Sequence, residues 1–287
     1  MHSVAEQVRT ERDFIDPDHA ALFAARAGNV GLCTIVGIDG SFSRRLGAQL
    51  AVLPDGTFVG SLSDGCLEQQ LASDLAGLRE PVVKRYGRGS DTIDFRLPCG
   101  GGLDILLDPK PHRQACENAV RSLIRREPAA LPLPEVSPLA ERRYIPALEI
   151  TVFGEGPEPE AFAQIARAAG IAVRTVGKDA LSLGQTPEMA KPDRWTAALL
   201  LFHDHEWELP VLHHVLAGDA FYIGAQGGEN ARIARTHALL GSGMSEEDIR
   251  RMQSPVGLID ACRDPHTLAV SALAEIMAAY ERLRPHA

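Results

Sequence analysis

The sequence predicts an α/β protein in two parts, a mixed α+β N-terminal domain over residues 1–126 and a Rossmann-like C-terminal domain over residues 147–287. Three observations predict it. The first part reads as short strands and tight turns around one clear helix. The last part alternates apolar strands with amphipathic helices, the succession that builds a doubly wound parallel sheet. Between them Pro128, Pro132, Pro134, Pro138 and Pro146 crowd a stretch of twenty residues, 127–146, which reads as an extended linker. A chain of 287 residues, 45% hydrophobic and 23% charged, is long and apolar enough for two cores.

In chain order, Val30–Ile38 is a β-rich apolar run, and Ala48–Leu53 with Thr57–Ser61 forms a hairpin around Pro54-Asp55-Gly56. Leu67, Leu71, Leu75 and Leu78 recur at helical spacing within 65–78. Val82–Tyr86, Thr92–Leu97 and Leu103–Leu107 return to strand. After the prolines, strands are predicted over Leu148–Phe153, Ala172–Val176, Ala197–Phe202 and Ala220–Ala225. Helices fall between and after them, over Glu158–Ala169, Leu209–Leu216 and Glu229–Leu240. The unbroken apolar run at 197–202 is of the kind buried on both faces of a parallel sheet.

A formal charge of -9 with interspersed signs lacks the basic stripe of a nucleic-acid surface, so no nucleic-acid partner is expected. Residues 1–7 lack a basic start and apolar core, and no apolar run approaches the roughly 20 residues of a membrane span, so a cytoplasmic protein is expected. Five cysteines without dense regular spacing or a C-x-x-C pair suggest reduced thiols rather than a disulfide scaffold or a structural zinc site.

Two of those cysteines stand apart. Cys66 in Ser63-Asp64-Gly65-Cys66 and Cys99 in Pro98-Cys99-Gly100-Gly101-Gly102 follow strand-like runs and lie in glycine turns, where a thiol can approach a ligand closely. They are the candidate catalytic thiols, and soft sulfur or metal chemistry suits them. Cys66 also begins a helix, whose dipole favours thiolate. Cys33, Cys116 and Cys262 read as structural. Arg44 and Arg45, in the glycine-bounded turn of residues 40–47, read either as a bidentate phosphate anchor or as surface arginines.

In the C-terminal part, Gly154-Glu155-Gly156 supplies the first two glycines of a dinucleotide fingerprint, but Pro159 stands at the third. Glu155, Glu158 and Glu160 crowd acid where a pyrophosphate would rest, and Gly177-Lys178 stands where an acid would meet the ribose. A retained fold whose glycines serve only the turn is favoured over a nucleotide site, and NAD(P) is not expected. His203-Asp204-His205 and the Gly224–Gly228 turn lie at strand ends. The histidines read as half of a metal site, as groups hydrogen-bonding a ligand or loop, or as residues with no specific role, and the glycine turn as an anion site.

Taken in order, Gly40-Ser41-Phe42-Ser43-Arg44-Arg45-Leu46-Gly47, Gly60–Glu68, Leu97-Pro98-Cys99-Gly100-Gly101, His203-Asp204-His205, Tyr222-Ile223-Gly224-Ala225, Pro255-Val256-Gly257-Leu258 and Ala274-Glu275-Ile276 resemble the XdhC/CoxI family over nearly the whole chain. Asp64, Gly227-Gly228-Glu229 and 259–262 depart from its pattern. The resemblance implies a non-catalytic accessory protein that binds molybdenum cofactor (molybdopterin), protects its sulfurated form and helps insert it into a molybdenum hydroxylase of the xanthine, aldehyde or CO dehydrogenase type. It implies cofactor contacts from Arg44, Arg45, Ser63, Gly65, Cys66, Cys99, Gly100, Gly101, Gly154, Gly156, His203, Asp204, His205 and Gly224, with Cys99 against molybdenum. A cysteine desulfurase and cofactor-biosynthesis proteins are its implied partners, and a homodimer is expected. The alternatives are an NAD(P)-dependent oxidoreductase, or a catabolic enzyme with a metal at the His-Asp-His segment.

Overall fold

The computed structural model describes residues 18–63, 65–90 and 100–285. The strand expected over 92–97, together with Asp64 and Cys99, lies outside the described residues. The chain divides between Pro146 and Ala147 into two compact units.

The first unit is built on an antiparallel sheet. Its strands are β1 (Gly31–Asp39), β2 (Gln49–Val52), β3 (Phe58–Gly60), β4 (Val82–Gly87) and β5 (Gly102–Asp108), in the order β3-β2-β1-β5-β4. The central strand β1 is covered on both faces, which is why it reads as a continuous apolar run. Cys33 and Ile35 point to one side, where Leu67, Leu71 and Leu75 of helix α2 (Cys66–Ala76) close the core. Leu32 points to the other, against α1 (Ala20–Ala25) and α3 (Arg113–Ile124). Burial pushes the Cys33 thiol up to about 12, with the carboxylates of Asp108 and Asp74 adding. It pushes Cys116, on α3, up to about 11. Both are packing residues held as thiols.

Residues 127–146 are not the extended linker that their prolines suggest. Ala129–Pro132 (β6) and Glu141–Tyr144 (β7) pair antiparallel, with Ala129 opposite Tyr144 and Pro132 opposite Glu141. Pro132 ends its strand, while Pro134 and Pro138 occupy the connection, where no ladder N–H is required of them. The hairpin completes the first core. Leu131 and Tyr144 are buried with α1 and α3. The Tyr144 hydroxyl donates to Gln49 Oε1, and Gln49 donates to Thr34 Oγ1 at 3.0 Å. Arg142, also buried, donates to Gly47 O at 2.6 Å and to Asp18 at 2.6 Å.

The second unit carries a parallel sheet of β8 (Glu149–Gly154), β9 (Ala172–Val176), β10 (Thr196–Leu201), β11 (Tyr222–Ala225) and β12 (Met252–Gln253), ordered β12-β11-β10-β8-β9. Helix α4 (Pro157–Ala168) packs with α8 (Pro265–Glu281), whereas α5 (Glu208–Leu216), α6 (Glu229–Gly241) and the short α7 (Glu246–Arg250) contribute to a separate core with β10 and β11. Winding starts at β8, turns one way to β9 and the other way to β10, so the topological switch lies between β8 and β10. The doubly wound reading therefore holds. The two-residue β12 and the short α7 carry too little pattern to be seen in the sequence.

Candidate functional site

Antiparallel pairing gathers three of the sequence motifs at one end of the first sheet. Strands β1, β3 and β4 finish there while β2 and β5 begin there, so residues 40–48, 61–63 and 65, 88–90, and 100–101 share that end. The thiol turn is organised by Glu68. Its buried carboxylate accepts hydrogen bonds from the backbone N–H of Leu62 at 2.9 Å, Ser63 at 2.6 Å and Gly65 at 2.8 Å. Burial pushes the Glu68 carboxyl up, but the amides of Ser63, Glu68, Gly65 and Leu62 outweigh it and hold the group below the usual glutamate value. Gly65 caps α2, and Cys66 is the first residue of that helix, exposed and free.

Arg44 joins the neighbouring turn to this one. It donates from Nε to Ser61 O at 3.1 Å and from Nη2 to Ser61 Oγ at 3.3 Å, and Ser61 Oγ donates in turn to Ser63 O at 3.1 Å. Arg45 instead faces Asp18 at 4.0 Å, the same carboxylate that Arg142 holds. The two arginines are thus not a single fork. Arg44 clamps the thiol turn, and Arg45 lies toward α1.

On the other side of the 40–48 turn stands an ion network at the ends of β1, β4 and β5. Arg85 donates to Asp104 at 2.9 Å and to Asp39 at 2.9 Å, and Arg88 donates to Asp39 at 2.6 Å. The Arg88 hydrogen bond holds the Asp39 carboxyl below its usual range. Arg88 N–H donates to Gly101 O at 2.9 Å, pinning the chain on both sides of residues 91–99. Gly100 is exposed and Gly101 buried. Among the described residues the structure therefore brings together Arg44, Ser63, Gly65, Cys66, Gly100 and Gly101 at one strand end. Asp18, Glu68, Arg85, Arg88 and Arg142 were missed by the sequence reading. Only Glu68 carried a local signal, three residues after the cap, at capping-box spacing.

In the second unit the remaining predicted residues lie at the carboxyl ends of parallel strands, with one exception. Gly154 ends β8 where a Cβ would stand 2.4 Å from Leu201 O, so the close approach of β8 and β10 requires glycine. Gly156 caps α4. Gly224 is the exception: it lies inside β11, and a Cβ there would meet Tyr222 at 2.7 Å and Val256 at 2.9 Å, so it is a packing position. The motifs at 255–258 and 274–276 are explained by Glu275, which accepts from the Tyr222 hydroxyl at 2.6 Å and from Gly257 N–H at 2.7 Å. Burial pushes the Tyr222 phenol up, and the Glu275 carboxylate adds to it.

The side chains of the His-Asp-His segment are engaged one by one. His203 Nε2 lies 3.1 Å from Glu158, Asp204 lies 3.5 Å from Lys178 Nζ, and His205 Nδ1 lies 3.1 Å from Glu208, three separate partners. Among the described residues no group of three or more His, Cys, Asp or Glu could hold a metal ion. Glu208 is buried and bound twice by the buried Arg235, at 2.9 Å each, and Arg235 also donates to Gln226 O and Ser254 Oγ. This pair fastens the ends of β11 and β12 to α5 and α6.

The comparisons with known proteins cover both units. The XdhC and CoxI family matches residues 23–87, and the XdhC Rossmann domain matches residues 150–276. The chain is 32% identical to the molybdenum cofactor insertion chaperone PaoD of Escherichia coli (strain K12), over 93% of this chain and 91% of that one. It is 22% identical to a probable xanthine dehydrogenase subunit of Bacillus subtilis (strain 168), over 88% and 93%. A crystal structure of a xanthine dehydrogenase from Bacillus halodurans shares the fold with a TM-score of 0.68 at 20% identity, over 99% and 97%. Both domain matches and the extent of the PaoD alignment place this chain in the XdhC and CoxI family.

Proposed function

We propose that the protein is a chaperone that holds sulfurated molybdenum cofactor at the strand-end turns of its first unit and hands it to a molybdenum hydroxylase. The cofactor is cargo: a pterin dithiolene with an anionic phosphate and an oxygen- and sulfur-ligated metal. One observation carries the reading, namely that the fold gathers Arg44, the Ser63–Cys66 turn and the Gly100-Gly101 turn, motifs far apart in sequence, at one end of one sheet. The 32% identity to a cofactor insertion chaperone supports it. In this reading Arg44 and Arg45 exchange their contacts to Ser61 and Asp18 for the cofactor's phosphate, and Cys66 offers an exposed soft ligand. Cys99, which stands in sequence between Arg88 and Gly101, shields the metal or relays sulfur to it from a donor. A cysteine desulfurase supplies the sulfur, the client is of the xanthine, aldehyde or CO dehydrogenase type, and the protein works in the cytoplasm as a homodimer.

The test is the double substitution Arg44→Ala/Arg45→Ala. Neither side chain is buried, so the variant is expected to stay folded while retaining less molybdenum cofactor in equilibrium dialysis and activating its client more slowly. Unchanged retention in a folded double variant removes the arginines from the site.

A further inference from the structure

The second unit holds an open cleft of about 720 Å³ between the β8–α4 turn and the end of β9, lined by Gly154, Gly156, Glu160, Gln164, Arg167 and Asp179 among others. It sits at the carboxyl ends of two adjacent parallel strands, the side of an open α/β sheet that takes ligands. The sequence reading places Gly177-Lys178 where such a sheet would present an acid to a ribose. The structure supplies the acid one residue further on. Asp179 lies on the turn Lys178–Ala180 and folds back over the strand end, its Oδ1 2.6 Å from where a Cβ on Gly177 would stand. The side chains of Asp179, Glu160 and Gln164 form no hydrogen bond or ion pair with other described residues, so their polar atoms are open to a ligand.

The phosphate half of a nucleotide site is dismantled beside it. Of the first three residues of α4, Pro157 and Pro159 have no N–H to offer, leaving only that of Glu158. Glu155, Glu158 and Glu160 add negative charge where an anion would need donors. The switch-point crevice between β8 and β10 is bridged by the protein's own groups. His203 meets Glu158 at 3.1 Å, and Lys178 spans Glu155 at 3.4 Å and Asp204 at 3.5 Å.

We infer that this cleft binds a ribonucleoside bearing no phosphate, with the ribose cis-diol donating to Asp179 and the acid-lined wall favouring a neutral or cationic ligand. This site is independent of the cofactor site in the first unit. Equilibrium dialysis of the full chain against adenosine, guanosine, cytidine and uridine, their 5′-monophosphates and their 2′,3′-dideoxy forms tests it. At least one ribonucleoside is expected to bind, with the monophosphate and the dideoxy form each weaker by roughly tenfold or more. Asp179→Asn, an exposed change that leaves the fold intact, is expected to weaken the ribonucleoside by roughly tenfold, and Glu160→Gln to narrow the gap to the monophosphate. The inference is overturned if no ribonucleoside binds at millimolar concentration, if the monophosphate binds as well as the nucleoside, or if Asp179→Asn binds unchanged.

Discussion

Glu68→Ala isolates the group on which the thiol turn depends. The substitution leaves three backbone amides without their acceptor: Leu62 in the buried core, and Ser63 and Gly65 where water can reach. A hydrogen bond to a charged group contributes about 1.5–3 kcal/mol, and water recovers most of the value at the two half-buried amides. The expected loss is therefore about 3 kcal/mol, dominated by Leu62. Its pH dependence follows from the depressed carboxyl. A group whose folded pKa lies below its unfolded one stabilises fully above the unfolded value and loses that contribution as pH falls through the folded one. The gap between wild type and Glu68→Gln, measured by urea unfolding, should thus be widest near neutrality and close under acid. A peptide-resolved alkylation assay supplies the second readout, because a loosened turn changes the labelling rate of the exposed Cys66. If Glu68→Ala costs under about 1 kcal/mol, or the Glu68→Gln gap is flat with pH, the turn is held by something other than this carboxylate.

Cys99→Ser is expected to abolish client activation while the melting temperature barely moves; normal activation would return Cys99 to a packing role. Nicotinamide dinucleotides should show no submillimolar affinity by calorimetry, since two prolines and three glutamates occupy the pyrophosphate end of α4. Glu208→Ala should destabilise the second unit by about 3–5 kcal/mol by stranding Arg235, whereas the double change Glu208→Leu/Arg235→Met should recover most of the loss. Equal stability of the single and double variants in urea would show that the ion pair is not what holds the strand ends.

Period and turn chemistry made most elements legible. The alternation of apolar strands and helices after residue 147 gave the parallel sheet, and Leu67, Leu71 and Leu75 gave α2. The hairpin of 129–144 was misread because proline counts against strand locally, while Arg142 and Tyr144 gain their place only through Gly47, Asp18 and Gln49, about a hundred residues away. The candidate site residues followed the same division. Cys66, Ser63 and Gly65 announce themselves as a glycine turn, but Arg85 and Asp104 acquire meaning only when β4 pairs with β5. Asp179 was overlooked because the fingerprint fixes a position, and the 3₁₀ turn moves the carboxylate back to it from two residues downstream of Gly177.

The buried hairpin also sets an order of manufacture. A nascent chain that has emerged only to residue 126 already contains all five strands of the first sheet, yet Gln49 and Thr34 face a gap that only Tyr144 fills. The core of the first unit is therefore finished by the 129–144 hairpin, just before the second unit begins to emerge. Translation to Pro146, and no less, is the point at which the first unit can close its core.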